Sequence, residues 1–198
     1  MAKRKPVDDR YIEGQMLVAT PAMADERFRH SVIYMCRHND EGALGIVVNR
    51  ALVEPTPAEL FEELGLGAPV APEPTHVVWG GPVEVSHGLV LHSAEYRREE
   101  TLMVGHERFG LTASLEILRD MARGAGPATT LLALGHSGWG PGQLDRELQD
   151  NAWLVVPAED EAILFDGDYD GKWTRALGKL GDRLGADPGL FSSTAGRA

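Results

Sequence analysis

The apolar residues of this chain fall into short runs set apart by turn-forming residues, and that spacing most constrains the fold. Gln15–Ala19, Ser31–Arg37 and Ala43–Asn49 are such runs, rich in β-branched or aromatic side chains, and read as strands. The last two flank His38-Asn39-Asp40-Glu41-Gly42, a composition suited to the turn of a β-hairpin. Further strands are expected at His76–Trp79, Gly88–His92, Thr101–Val104, Thr129–Leu134 and Trp153–Pro157. About four helices fall between them. Thr56-Pro57-Ala58-Glu59 sets a capping Thr, a Pro at the first helical position and a Glu three residues after the cap, opening a helix that runs to Leu64. Leu111, Leu115, Leu118 and Ala122 recur at helical spacing and Gly124 stops them. Pro141–Asp150 and Lys172–Leu184 are the others, the last with a core stripe of Trp173, Ala176, Leu177, Leu180 and Leu184. No β-α-β rhythm repeats. The pattern predicts an α+β fold with a mainly antiparallel sheet, not a doubly wound parallel one.

A length of 198 residues suits one domain, which buries roughly 70% of its unfolded surface and needs no disulfide or metal to hold its core. The domain is expected over residues 11–187, between a disordered polar arm at 1–10 and a small polar tail at 188–198. The segment Gly65 to Pro74 reads as a loop within that domain. Thirty acidic against nineteen basic residues give a formal charge of −11, which opposes broad binding to DNA, RNA or anionic lipid. Cys36 is the one cysteine, so no intramolecular disulfide exists; it sits in the run Val32-Ile33-Tyr34-Met35-Cys36 and reads as a small buried hydrophobe. No apolar run approaches the ~18 residues of a membrane span. The basic start Met1-Ala2-Lys3-Arg4-Lys5-Pro6 leads into Val7-Asp8-Asp9-Arg10 and is no signal peptide. A cytoplasmic protein is expected.

Several segments touch on chemistry. Gly135-His136-Ser137-Gly138-Trp139 follows a strand and precedes a helix, the place of a nucleophile elbow, but Trp139 stands where the elbow needs Gly and no His follows His136. The same loop offers Gly135, Gly138, Gly140 and Gly142 ahead of a helix, which suits an anion, although neither the phosphate-loop nor the dinucleotide pattern is met. A tight turn is the alternative. Asp166, Asp168 and Asp170 open like a calcium loop, yet Leu177 replaces the closing Glu, so they are weak metal candidates beside a helix cap at Asp170. From Glu147 to Asp170 eight carboxylates occur with no Lys or Arg among them, a solvated face or a surface for a basic partner. His87 and His92 lie five apart on a strand and point to opposite faces, and no metal set emerges from the histidines. Glu59, Glu62 and Glu63 form no acid/base pair without a cleft.

Taken in order, the segments from Gly14 to Met23, Phe28 with Ser31-Val32-Ile33-Tyr34, Gly42 to Arg50, Trp79-Gly80-Gly81-Pro82-Val83, Gly88 to His92, Leu111 to Leu118, and Gly135 to Leu144 with Glu147, Asn151 and Trp153 resemble the bacterial AlgH/YqgE family across nearly the whole chain. The resemblance implies a single α+β domain with a curled, barrel-like, largely antiparallel sheet and helices packed around it. It also implies a label, transcriptional regulator, that stems from a genetic association with alginate production. It carries no established catalytic residues and no cofactor. The family pattern reads Gly-Tyr-Ala-Gly-Trp where this chain has Gly135-His136-Ser137-Gly138-Trp139, so Ser137 is not a required nucleophile. The leading expectation is a non-enzymatic regulatory or binding protein. Its surface is expected at Asn49, Arg50, Gly80, Gly81, Gly138, Trp139, Gly140 and Gln143, where Arg50 and a helix N-terminus would hold a small anionic ligand. A basic protein partner is the other occupant considered. Direct DNA binding through Lys3-Arg4-Lys5 and hydrolysis by Ser137 are the alternative functions.

Overall fold

The computed structural model describes residues 10–70 and 76–184. The tail at 188–198 and all of the arm but Arg10 lie outside the described residues. The strands are β1 Gln15–Ala19, β2 Val32–Asn39, β3 Gly42–Val47, β4 Val77–Trp79, β5 Val83–Ser93, β6 Leu102–Val104, β7 Phe109–Thr112, β8 Thr130–Trp139 and β9 Trp153–Pro157. The helices are α1 Pro57–Glu63, α2 Leu115–Ala122, α3 Gln143–Gln149, α4 Glu161–Phe165 and α5 Lys172–Leu184. All nine strands join one sheet in the order β6-β7-β5-β8-β3-β2-β1-β9, with β4 lying against β8. Every neighbouring pair on that path is antiparallel; β4 and β8 are parallel.

The sheet curls into a half-barrel whose two ends approach each other. Arg108 beside β7 donates to the Ala158 carbonyl beyond β9 at 2.9 Å and pairs with Glu161 at 3.3 Å. Inside the curl, Tyr34 meets Phe109 edge-on with ring centroids 5.6 Å apart, and Phe165 packs on Phe109 at 5.3 Å. Successive strand residues alternate between two buried layers. Met16, Val18 and Tyr34 face the inner core, whereas Leu17, Ile33 and Val47 face the layer under α3. Burial on both faces explains why these strands read as unbroken apolar runs. Trp173 of α5 donates its indole N–H to the Ala19 carbonyl at 2.9 Å, and Ala176 and Leu177 seat that helix in the inner core.

Four local readings change. Leu111 belongs to β7, opposite Leu91, and not to the helix, which starts at Leu115 behind a Ser114 cap. The four-residue spacing from Leu111 to Leu115 fits a helix by number, but pairing with β5 and β6 claims the first of them. The helix Glu161–Phe165 is not among the expected elements, because five residues are too few to show a helical period, although Asp160 caps it. Strand β5 begins at Val83, ahead of the expected Gly88. Most consequentially, β8 runs on through Trp139, so residues 135–139 form strand instead of loop.

Candidate functional site

That continuation decides where the expected site residues go. Strand β8 pairs with β5 and β4 along its first half and with β3 along its second, bending between them at Gly135, whose φ is +71°. A Cβ at Gly135 would sit 2.6 Å from the Gly81 carbonyl oxygen, so only glycine permits the bend. Ser137 is buried within β8 opposite Gly45, with its hydroxyl on the Gly80 carbonyl at 3.4 Å. The strained strand-to-helix turn of an elbow is absent there.

The expected binding residues divide into two groups. Gly80 and Gly81 do lie against β8: the Gly80 amide donates to Leu134 at 2.8 Å, and Gly81 abuts the His136–Ser137 backbone. Asn49 and Arg50 do not join Trp139, Gly140 and Gln143. Trp139 pairs with Ala43 at the start of β3, and Asn49 lies six residues further along, on the order of 20 Å away at the rise of an extended chain. Each of these polar residues also has a structural partner. Asn49 accepts from the Val32 amide and donates to the His30 carbonyl, both at 2.8 Å. Arg50 stacks over Trp79 at 5.4 Å and donates to the Arg29 carbonyl at 2.9 Å. Gln143 accepts from the Gly140 amide at 3.1 Å and donates to Glu147 at 2.9 Å. Glu147 in turn accepts from the indole N–H groups of Trp139 at 2.9 Å and Trp153 at 2.8 Å. Gly138 is an exposed strand residue opposite Leu44. Position therefore separates Arg50 from the start of α3, where the N-cap Gly142 makes no side-chain cap hydrogen bond.

The metal candidates also find protein partners. Asp166 accepts both arms of the Arg175 guanidinium at 2.6 and 2.9 Å, which holds its carboxyl below the usual carboxylate range. Asp168 accepts from the Gly171 amide at 3.2 Å. Asp170 lines a shallow recess with Arg50 and Trp173, and among the described residues no three His, Cys, Asp or Glu side chains are grouped so as to hold a metal ion.

The best-formed cavity lies elsewhere, about 430 Å³ between β5, β8, α1 and α2. An irregularity in β5 makes its mouth. Val83 opposes His136 and Gly88 opposes Leu134, so residues 84–87 bulge out against Gly135 alone, and Glu84 takes a φ of +50°. The bulge carries Glu84, Ser86 and His87 over the opening, opposite His136 of β8. Leu89, Val90, Leu132 and Leu134 make the floor, with Leu60 and Leu64 of α1 on one side and Leu115 and Leu118 of α2 on the other. His87 and Glu84 stand 3.9 Å apart at the rim. Burial lowers the pKa of His136, and His87 adds to the effect against Glu84, which favours the neutral ring. Of the titratable and hydroxyl residues at the mouth, the sequence points to His136 and His87 but not to Glu84 or Ser86. The signal was the run Val83-Glu84-Val85-Ser86-His87, whose alternation reads as a strand although it bulges. Among the described residues no Ser, Thr or Cys is hydrogen-bonded to His87 or His136.

A family model described as AlgH-like matches residues 16–185. A UPF0301 protein of Nitrobacter hamburgensis is 44% identical, covering 96% of this chain and 89% of its own length. One from Rhodospirillum rubrum is 46% identical, with 95% of both covered. The solution structure of AlgH from Pseudomonas aeruginosa superposes with a TM-score of 0.73 at 37% identity, over the whole of both chains. A crystal structure of a Corynebacterium diphtheriae protein shares the fold with a TM-score of 0.68 at 22% identity, over 98% of this chain and 95% of that one. This chain belongs to the AlgH-like family.

Proposed function

We propose that this chain is a non-enzymatic binding protein, whose cavity between β5, β8, α1 and α2 receives an apolar group and whose rim selects against anions. The observation that carries this reading is the lining of the cavity, mostly leucine and valine side chains, with Glu84, Ser86, His87, His136, Thr112 and Ser114 as its polar residues. That layout suits an apolar body with a polar or cationic end. It replaces the anionic ligand expected at Arg50, since Glu84 repels a negative charge. Any regulatory role then works through a bound partner or ligand in place of direct contact with DNA, whose phosphates the net charge of −11 disfavours.

An uncharged fluorophore, N-phenyl-1-naphthylamine, tests the reading. Wild-type protein is expected to bind it saturably with a rise in fluorescence. Gly88 supplies the control, because a Cβ there meets nothing within 4 Å and Gly88→Phe fills the cavity from its edge. That variant is expected to lose at least about tenfold in affinity, a cost of about 1.4 kcal/mol in binding, with its melting temperature unchanged. Non-saturable binding by the wild type, or equal binding by Gly88→Phe, overturns the reading.

A further inference from the structure

Resting on that reading, we propose that the cavity's occupant is an apolar side chain of a basic polypeptide segment, whose Lys or Arg side chains lie along an acidic groove beside it. The groove, about 840 Å³ and open to solvent, is lined by Glu54, Glu59, Glu62 and Glu63. It shares Leu60, Ser86 and Leu134 with the cavity, so the two form one continuous surface. No Lys or Arg is among the described residues that line either part. Glu59 is held by the Thr56 cap, but Glu54, Glu62 and Glu63 take part in no ion pair among the described residues. Carboxylates from Glu59 to Glu63 spread over about 6 Å of helix. That is more length and more charge than one ammonium group neutralises, and it matches successive basic side chains of a polypeptide. The apolar surface likewise extends past the cavity. Leu115 is 49% exposed on one side of the mouth and Val85 54% exposed on the bulge, so an occupant covers a rim as well as a hole. An apolar anchor flanked by basic residues fits both features at once.

A fluorescein-labelled peptide with one central Phe flanked by lysines is the probe, read by fluorescence anisotropy. It is expected to bind, and replacing its Phe by Ala, or its lysines by Glu, should weaken binding about tenfold or more. Glu62→Lys with Glu63→Lys should weaken it about tenfold as well. Asp150→Lys with Glu159→Lys changes net charge equally at exposed sites elsewhere and should have little effect. Both double variants are first shown to bind N-phenyl-1-naphthylamine as the wild type does, which confirms an intact cavity. Equal weakening by the two charge reversals reduces the attraction to net charge and overturns the proposal. So does naphthylamine binding without peptide binding, which leaves the cavity reading standing. So does octylamine that binds with the same sensitivity to Glu62 and Glu63 while the peptide does not, since the occupant is then a small amine. If naphthylamine fails to bind the wild type, the cavity reading falls and takes this proposal with it.

Discussion

Two acidic regions of this molecule look alike in the sequence and behave differently in the fold. The block from Glu147 to Asp170 has eight carboxylates and no intervening base, yet residues on either side of it partner five of them. Lys179 pairs with Asp160 at 2.9 Å, Arg175 grips Asp166, Arg108 reaches Glu161, and Glu147 is taken up by two tryptophans. The shorter group Glu54, Glu62 and Glu63 has no such partners among the described residues, and the chain itself has no Lys or Arg between Arg50 and Arg97. A charge run thus reports local sequence, whereas an unpaired charge reports what the fold leaves undone. The five partnered carboxylates of the block, Glu147, Asp160, Glu161, Asp166 and Asp168, belong to the scaffold; the α1 group has no such place in it.

The contrast is sharpest at Glu147. Replacing it with Leu strands the indole N–H groups of Trp139 and Trp153, both buried. Buried donors without acceptors cost about 1–3 kcal/mol each, so Glu147→Leu is expected to destabilise by about 3 kcal/mol in urea denaturation. Glu147→Gln keeps an acceptor and should cost about 1 kcal/mol. A loss under 1 kcal/mol for Glu147→Leu would break the assignment of this block to the scaffold.

The next effect is collective and separates the scaffold's carboxylates from its histidines. His38 is buried and accepts from the Ile12 amide at 3.3 Å, a role it keeps only with that nitrogen unprotonated. His92 is buried between the Ser93 carbonyl and the Thr112 hydroxyl, each 2.9 Å away. Burial lowers the pKa of both, and of His136, against opposing pulls from Asp145, from Ser93 with Glu95, and from Glu84 respectively. A base whose pKa is depressed on folding favours the native state while neutral. Its contribution is whole above the unfolded value of about 6.5 and is lost as pH falls through the folded one. Stability measured by urea midpoint is therefore expected to decline as the pH drops below about 6.5, ahead of the loss from the paired carboxylates, which begins only below their unfolded value of about 4. A flat profile down to pH 5 would contradict the neutral, buried state of these rings.

How far the chain announced all this depends on where the information lies. The capping box at Thr56 and Glu59 is local, and the structure shows both of its hydrogen bonds. Strands β1 and β9 have their expected limits because turn residues bound them closely. Leu111 and the bend at Gly135 were misread because pairing across the sheet, not spacing along the chain, decides them. The cavity was hidden for the same reason. Its mouth depends on a bulge, and a bulge is a mismatch between two strands that neither strand's sequence displays. Asn49, Arg50 and Gln143 were singled out as polar residues without a core role, and each turned out to satisfy backbone groups nearby.

A smaller effect is expected at Asp166. Arg175 reaches it with two hydrogen bonds, and Lys172, wholly buried, lies 4.0 Å from it while donating to the Val48 and Leu164 carbonyls. The carboxylate is about a third exposed, so solvent screens the pair and Asp166→Asn should cost about 1 kcal/mol by thermal denaturation. A neutral result would place this part of the block with the α1 group.

The smallest effect carries the opposite sign. Glu62 and Glu63 occupy the last turn of α1, which has no basic residue there, and the negative end of the helix dipole disfavours carboxylates at that position. Glu62→Gln with Glu63→Gln is expected to stabilise the protein by about 0.5 kcal/mol, since no internal partner is lost and an unfavourable pair of charges is removed. A destabilisation above 1 kcal/mol would mean that these residues do support the fold, and the distinction between the two acidic regions would collapse. Stabilisation would mean that the chain carries two charges its own structure does not use. Set beside an apolar cavity on the same helix, such charges are explained by a partner that brings the opposite sign.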